Sequence, residues 1–264
     1  MAVNENLLER REHKYHLPPH LVPYVRETAL SVCKLDSYAG PNGSYAIRSL
    51  YFDTDQYALF WANDHEVCDR FKVRARMYPG AQGKAPVFLE VKRRVLDAII
   101  KTRGGVPAEQ WQEVMCHPNG EAASRVAPKA RRAVERFNSL VHTYHLKPVV
   151  LVEYDREAYV STVDDYARLT FDRHIRCQLK STLDMEVDPK AWRLVDDPIR
   201  TKSLEPITLL ELKFAGPAPR WMMNMVQRLE LIRYSFSKYG YSLDVQHSVP
   251  GVRIPTYDEW RLGA

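Results

Sequence analysis

The chain has no apolar run near the roughly 20 residues that a bilayer-spanning helix needs, so a helical membrane protein is not expected. Cysteine is scarce. The four residues (Cys33, Cys68, Cys116 and Cys177) are scattered, form no CxxC pair and join no histidine at zinc spacing. They read as reduced, structural thiols rather than a disulfide framework. The histidines make no HExxH, and there is no P-loop, no GxSxG elbow and no kinase-type glycine loop followed by HRD and DFG. The opening MAVNENLLERREHKYHL lacks the apolar core of a signal peptide, so the expected location is cytoplasmic. Repeats, low-complexity tracts and long linkers are also missing. The expectation is one domain over 1–264, with a core of about 10–245.

What is present is charge at every second position. Lys72, Arg74 and Arg76 alternate through FKVRARMY, Glu90, Lys92 and Arg94 through FLEVKRR, and Glu211 and Lys213 through LLELKF. On a β-strand, residues i, i+2 and i+4 share a face. The alternates are mostly apolar, so several strands should have one charged face, mainly cationic, and one apolar face. The net charge of +5 and pI near 8.9 fit an acidic partner without naming one.

Periodicity predicts a short strand at ERREHKYHL, a helix over 23–35, a strand over 45–54 and a short helix over 57–63. Strands follow over 67–78, 87–95 and 99–106, the first two joined by PGAQGKAP. Helices are expected over 109–116 and 128–145, the latter with a stripe of Ala130, Val134, Phe137, Val141 and Tyr144 and a face of Lys129, Arg132 and Arg136 that is either plainly solvated or a secondary phosphate or membrane-surface patch. Long strands over 147–161 and 167–179 flank the turn VDDY. A strand over 208–214 precedes a helix over 220–236, with Gly240 as its stop signal. Short connections favour antiparallel pairing. The expected fold class is therefore α+β: an eight-stranded antiparallel β-barrel flanked by amphipathic helices.

If the apolar alternates pack under the helices, the charges gather round one cavity, which must be wet, laced with carboxylates or occupied by an anion. Arginine forks and lysine ammoniums match phosphate oxygens. Glu12, Glu90 and Glu211 each lie two residues before a lysine. Each either pairs with a neighbouring cation or holds a divalent metal that bridges it to phosphate.

The ordered set KY, SLYFDT, FKVRAR, FLEVKRR, IIKTR, VEYDREAY, RLTFD, LLELKF and FSKYG resembles the VTC domain, the polyphosphate-polymerase module of the triphosphate tunnel metalloenzymes. The likeness runs from about Arg10 to Tyr241. It implies an eight-stranded triphosphate tunnel that holds ATP and a growing polyphosphate chain with Mn²⁺ or Mg²⁺. Carried over motif by motif, it implies substrate-binding roles for Lys14, Arg74, Arg76, Lys92, Lys101, Arg156, Arg168 and Lys238. Arg74, Arg76, Lys92, Arg156 and Arg168 are among these the catalytic set, and Glu211 is the metal ligand. Arg94 and Arg103 are the alternatives to Lys92 and Lys101. The family's regulatory and membrane segments have no counterpart in this chain, which reads as a free-standing catalytic module.

Hydrolytic and cyclase relatives carry an ExExK strand, and this sequence has no ExE. That departure favours transfer to phosphate over transfer to water. The expected partners are ATP and polyphosphate, with orthophosphate or pyrophosphate as smaller ligands and no nucleic acid. The alternatives are a metal-dependent tri- or polyphosphatase on the same fold and a non-catalytic polyanion- or RNA-binding barrel.

Overall fold

A computed structural model describes residues 10–80, 85–96, 98–248 and 256–262. The chain runs β1 (Arg10–Leu17), α1 (Val22–Val32), β2 (Cys33–Leu35), β3 (Tyr45–Asp53), α2 (Ala58–Asp64), β4 (Asp69–Met77), β5 (Val87–Val95) and β6 (Ala98–Val106). It continues through α3 (Trp111–Cys116), α4 (Glu121–Ser124), α5 (Pro128–Thr143), β7 (Lys147–Ser161) and β8 (Ala167–Leu179). The remainder is β9 (Arg193–Leu194), α6 (Pro198–Thr201), β10 (Thr208–Ala215), α7 (Arg220–Arg228), α8 (Lys238–His247) and α9 (Tyr257–Leu262).

The strands form a mixed α/β architecture with a ten-stranded antiparallel sheet of order β1-β10-β8-β7-β3-β4-β5-β6, with β2 added to β7 and β9 to β8. This corrects the expected eight-stranded closed barrel. β2 and β9 have three and two residues, too few to show alternation in sequence. Among the described residues no ladder joins β6 back to β1. Alternation gives each strand two faces but does not determine whether the sheet's edges meet.

The fold contains two compact units. The first comprises Met1–Ala46, Tyr154–Ile175 and Val195–Phe236; the second comprises Ile47–Glu153, Arg176–Leu194 and Ser237–Ala264. In the first unit, Tyr15, Leu17, Ala167, Leu169, Phe171, Leu210, Leu212 and Phe214 alternate along β1, β8 and β10. They pack against Val22, Val25 and Ala29 of α1 and Met222 and Met225 of α7. In the second, Leu50, Phe52, Val73, Ala75, Leu89 and Val91 pack against Trp111 and Val114 of α3 and Ala130, Val134, Phe137 and Val141 of α5. Each such large side chain contributes about 1.5–3 kcal/mol on leaving water. Within each unit the apolar alternates therefore lie beneath helices, and the charged alternates occupy the other face.

Several elements differ from the periodicity, most of them by one or two residues at an end. The helix read over 23–35 stops at Val32, because Cys33–Leu35 pairs with β7 instead. The stripe of α5 omits Tyr144, which is exposed and caps the helix. The helix read over 220–236 ends at Arg228; Glu230 takes a left-handed φ of 49°, and Arg233 bridges to Tyr15. Gly240 is no stop signal. It lies inside α8, whose N-cap Ser237 accepts a hydrogen bond from the Gly240 N–H. In the PGAQGKAP connection, residues 81–84 lie outside the described residues.

Candidate functional site

Three rungs of the second unit carry its charge. Across β4, β5 and β6, Lys72, Lys92 and Lys101 lie abreast in register. The next rung is Tyr51, Arg74, Glu90 and Arg103, and the third is Ser49, Arg76, Phe88 and Gly105. Like charges directly across a ladder repel, so Glu90 organises the set. It is 1% exposed. Its Oε2 accepts from Arg74 Nε at 2.8 Å and lies 2.6 Å from Arg74 Nη2 and 3.9 Å from Arg76 Nε. Its Oε1 lies 3.2 Å from Lys101 Nζ and 3.3 Å from Arg103 Nε, ionic contacts without an aligned hydrogen bond. Burial would raise the Glu90 carboxyl, but Arg74, Arg76, Lys101 and Arg103 together hold it well below the usual carboxylate range.

The neighbours of this cluster fix its cations. Arg103 donates to the Tyr78 hydroxyl at 3.0 Å and stacks its guanidinium 3.6 Å from the Phe88 ring centre. Arg74 donates to the Tyr51 hydroxyl at 3.0 Å, and Arg76 to Ser49 Oγ at 3.2 Å. Burial raises the buried Tyr51 phenol, but Arg74, Arg76 and Lys238 outweigh it and leave the group below its ordinary range. Desolvation, with Arg74, Arg76 and Arg103, outweighs Glu90 and lowers Lys101 to about 7. Since 46% of the Lys101 side chain meets solvent, hydration keeps its ammonium closer to the ordinary range than burial alone would. Lys238 is buried at the start of α8. The Tyr239 hydroxyl beside it donates to the fully buried Asp53, and the Tyr239 ring stacks on Tyr51 at 5.0 Å. Lys72 donates to Ser237 Oγ at 2.9 Å. Arg94 donates to the Leu96 carbonyl at the exposed end of the hairpin.

The first unit has a second, more evenly balanced cluster. Arg156 forks onto Asp172, with Nε and Nη2 each 2.6 Å from a carboxylate oxygen, and its Nη2 also reaches Glu211 Oε2 at 3.1 Å. Lys213 donates to the same Glu211 oxygen. Burial works against the Arg156 charge, but Asp172, Tyr154 and Glu211 hold it well above its ordinary range. Burial lowers the Lys213 ammonium despite Glu211. Lys14 donates to the Phe236 carbonyl at 2.6 Å and lies 3.2 Å from Glu12. Arg168 pairs with Asp36, and its Nε finds no hydrogen-bond partner among the described residues.

The divalent metal implied by the resemblance would need hard oxygen donors. Glu211 supplies a carboxylate, and Thr170, its partner in register, has a buried hydroxyl without a hydrogen-bond partner among the described residues. Among the described residues no three acidic, histidine or cysteine side chains gather as a closed metal site. Mg²⁺-type sites often use one or two carboxylates and complete the shell with substrate phosphate and water. The Glu211–Thr170 pair fits that open type.

The family model of the VTC domain matches residues 9–247, nearly the whole sequence. The chain belongs to the VTC domain family. No curated protein matches it. Among solved structures, a candidate adenylate cyclase from Bacillus halodurans is similar at 11% identity and a TM-score of 0.43, covering 87% of this chain and 96% of that one. A protein from Pyrococcus horikoshii OT3 is similar at 11% identity and a TM-score of 0.38, covering 96% and 98%. At that distance neither likeness bears on function.

Of the residues singled out in sequence, the structure groups Arg74, Arg76, Lys92 and Lys101 in one unit, with Lys238 near Tyr51. It places Lys14, Arg156, Arg168 and Glu211 on adjacent strands of the other. Arg103, weighed only as an alternative, lies at Glu90. Sequence reasoning missed the supports: Asp172 under Arg156, Asp36 under Arg168, and Asp53 and Tyr239 behind Tyr51. Asp172 and Asp53 stood within the quoted motifs RLTFD and SLYFDT, but a motif does not say which cation an aspartate meets.

Proposed function

We propose that the protein is a polyphosphate polymerase that transfers the γ-phosphate of ATP to a polyphosphate chain. The observation that carries this reading is the rung of three lysines beside Arg74 and Arg103, with Glu90 as counter-charge. So many cations side by side are costly unless an anion joins them. Membership of the VTC domain family supports phosphate as that anion.

In the second unit Arg74, Arg76, Lys92, Lys101 and Lys238 neutralise nonbridging oxygens of the triphosphate, and in the first unit Lys14, Arg156 and Arg168 are the phosphate-binding cations. Glu211, with Thr170, would hold a divalent ion, Mn²⁺ or Mg²⁺, which when bound adds positive charge to phosphate oxygens. A terminal oxygen of the polyphosphate, already ionised, attacks the γ-phosphorus in line. The bond from that phosphorus to the β–γ bridging oxygen breaks, and ADP departs with the electron pair. Such a step needs positioning and charge neutralisation rather than a protein nucleophile or base.

Arg74→Ala and Lys92→Ala test the assignment. Both should still fold cooperatively, Arg74→Ala with a lowered Tm because buried Glu90 loses its fork, and both should lose ATP-dependent polyphosphate synthesis. Full synthesis by both variants would refute the role given to this face.

A further inference from the structure

Glu90 is an odd residue to find in a phosphate site, because its charge repels the ligand. It is the only carboxylate in the three charged rungs among the described residues, and it is nearly fully buried. Its two oxygens are used differently. Oε2 is fixed in a fork with Arg74. Oε1 faces Lys101 and Arg103, with neither donor aligned on it. Those two cations are also the more exposed ones, at 46% and 36%, against 21% for Arg74 and 7% for Arg76. Phe88 and Tyr78 also hold Arg103, by ring contact and hydrogen bond.

We propose that Glu90 is a positioning residue that stands in for a phosphate oxygen until phosphate binds. It anchors Arg74 through Oε2 and keeps Lys101 and Arg103 gathered at Oε1, from which they turn onto the incoming phosphate. It is not a metal ligand, since four cations already surround it. The inference rests on reading this face as a phosphate site and assigns Glu90 a role within it.

The test uses inorganic tripolyphosphate in EDTA, followed by thermal melting of the full chain, with steady-state ATP kinetics alongside. The wild type should be stabilised by tripolyphosphate. Glu90→Gln should melt lower when empty yet gain more, about twice the rise in Tm, because the anion then replaces the missing counter-charge. Its kcat should fall about tenfold without a rise in KM, the mark of lost geometry rather than lost attraction. Glu90→Asp keeps the charge on a shorter arm, so its gain in Tm should match wild type while its kcat falls.

An equal gain in Tm for wild type and Glu90→Gln would overturn the proposal. So would a raised Mn²⁺ requirement in Glu90→Gln with an unchanged tripolyphosphate response, which would make Glu90 a metal ligand. If Glu90→Gln does not fold, Glu90→Asp decides, and an unaltered kcat there overturns the proposal. Intact tripolyphosphate binding without polymer synthesis removes the polymerase reading alone, whereas no binding to the wild type removes both.

Discussion

Arg156 neutralises two carboxylates at once, Asp172 and Glu211, while itself only 12% exposed. Arg156→Ala should therefore cost about 3–5 kcal/mol in urea unfolding, because buried Asp172 loses its arginine fork and Glu211 loses one of its cations, with Lys213 still in place. Arg156→Lys should recover little of this, since a lysine cannot reproduce the fork on Asp172. Glu90 makes a pH prediction. Its folded carboxyl lies below the ordinary value of 4.5, so the folded chain binds fewer protons than the unfolded chain in that window. The stability from Glu90 is fully present above about 4.5 and is lost as pH falls through the folded value, at about 1.4 kcal/mol per pK unit of depression. Urea titrations from pH 7 to pH 3 should show a shallower acid loss in Glu90→Gln than in wild type. An identical slope would remove Glu90 from the account of acid stability. At this scale sequence was informative about cations and poor about their partners. Alternation placed Lys72, Arg74 and Arg76 on one face, but the Asp172–Arg156 pair crosses between β7 and β8 and the Asp36–Arg168 pair joins a loop to a strand 132 residues on, neither of which a pattern within one strand reveals.

Among the elements, α5 lies unusually close to β6. A Cβ at Gly104 would come within 2.7 Å of Val134 Cγ2 and 2.9 Å of the Ala130 carbonyl oxygen. Gly104→Ala should force the helix and strand apart and cost about 1–3 kcal/mol by denaturant unfolding. A neutral result would mean that α5 shifts freely. α8 depends on its cap. Ser237→Ala removes an acceptor for both the Gly240 N–H and Lys72 and should cost about 1 kcal/mol, with faster amide exchange in the first turn of α8. The long strands and α5 were legible because their patterns persist over many residues. α8 was not, because its first turn, Lys238-Tyr239-Gly240, reads as a stop when Ser237 is not recognised as a cap. α7 was read too long because Trp221, Met225, Leu229 and Ile232 recur at helical spacing in the sequence, although in the structure Ile232 is exposed and beyond the helix.

For the molecule as a whole, alternating charge implied an antiparallel sheet with its apolar alternates under helices, and each unit is built that way. The strand count and the closure were not legible, because both depend on edge pairing rather than on the pattern within a strand. The two units also differ in charge: the Glu90 cluster is strongly cationic, whereas acids match bases more evenly round Arg156. Polyanion binding should therefore weaken with salt, and weaken less steeply in variants of the Glu90 rungs, such as Lys92→Ala. The central claim is the acceptor of the transferred phosphate. Purified protein given γ-³²P-ATP and Mn²⁺ should yield ADP and a labelled polyphosphate ladder on a gel. Labelled orthophosphate with ADP and no polymer would contradict it.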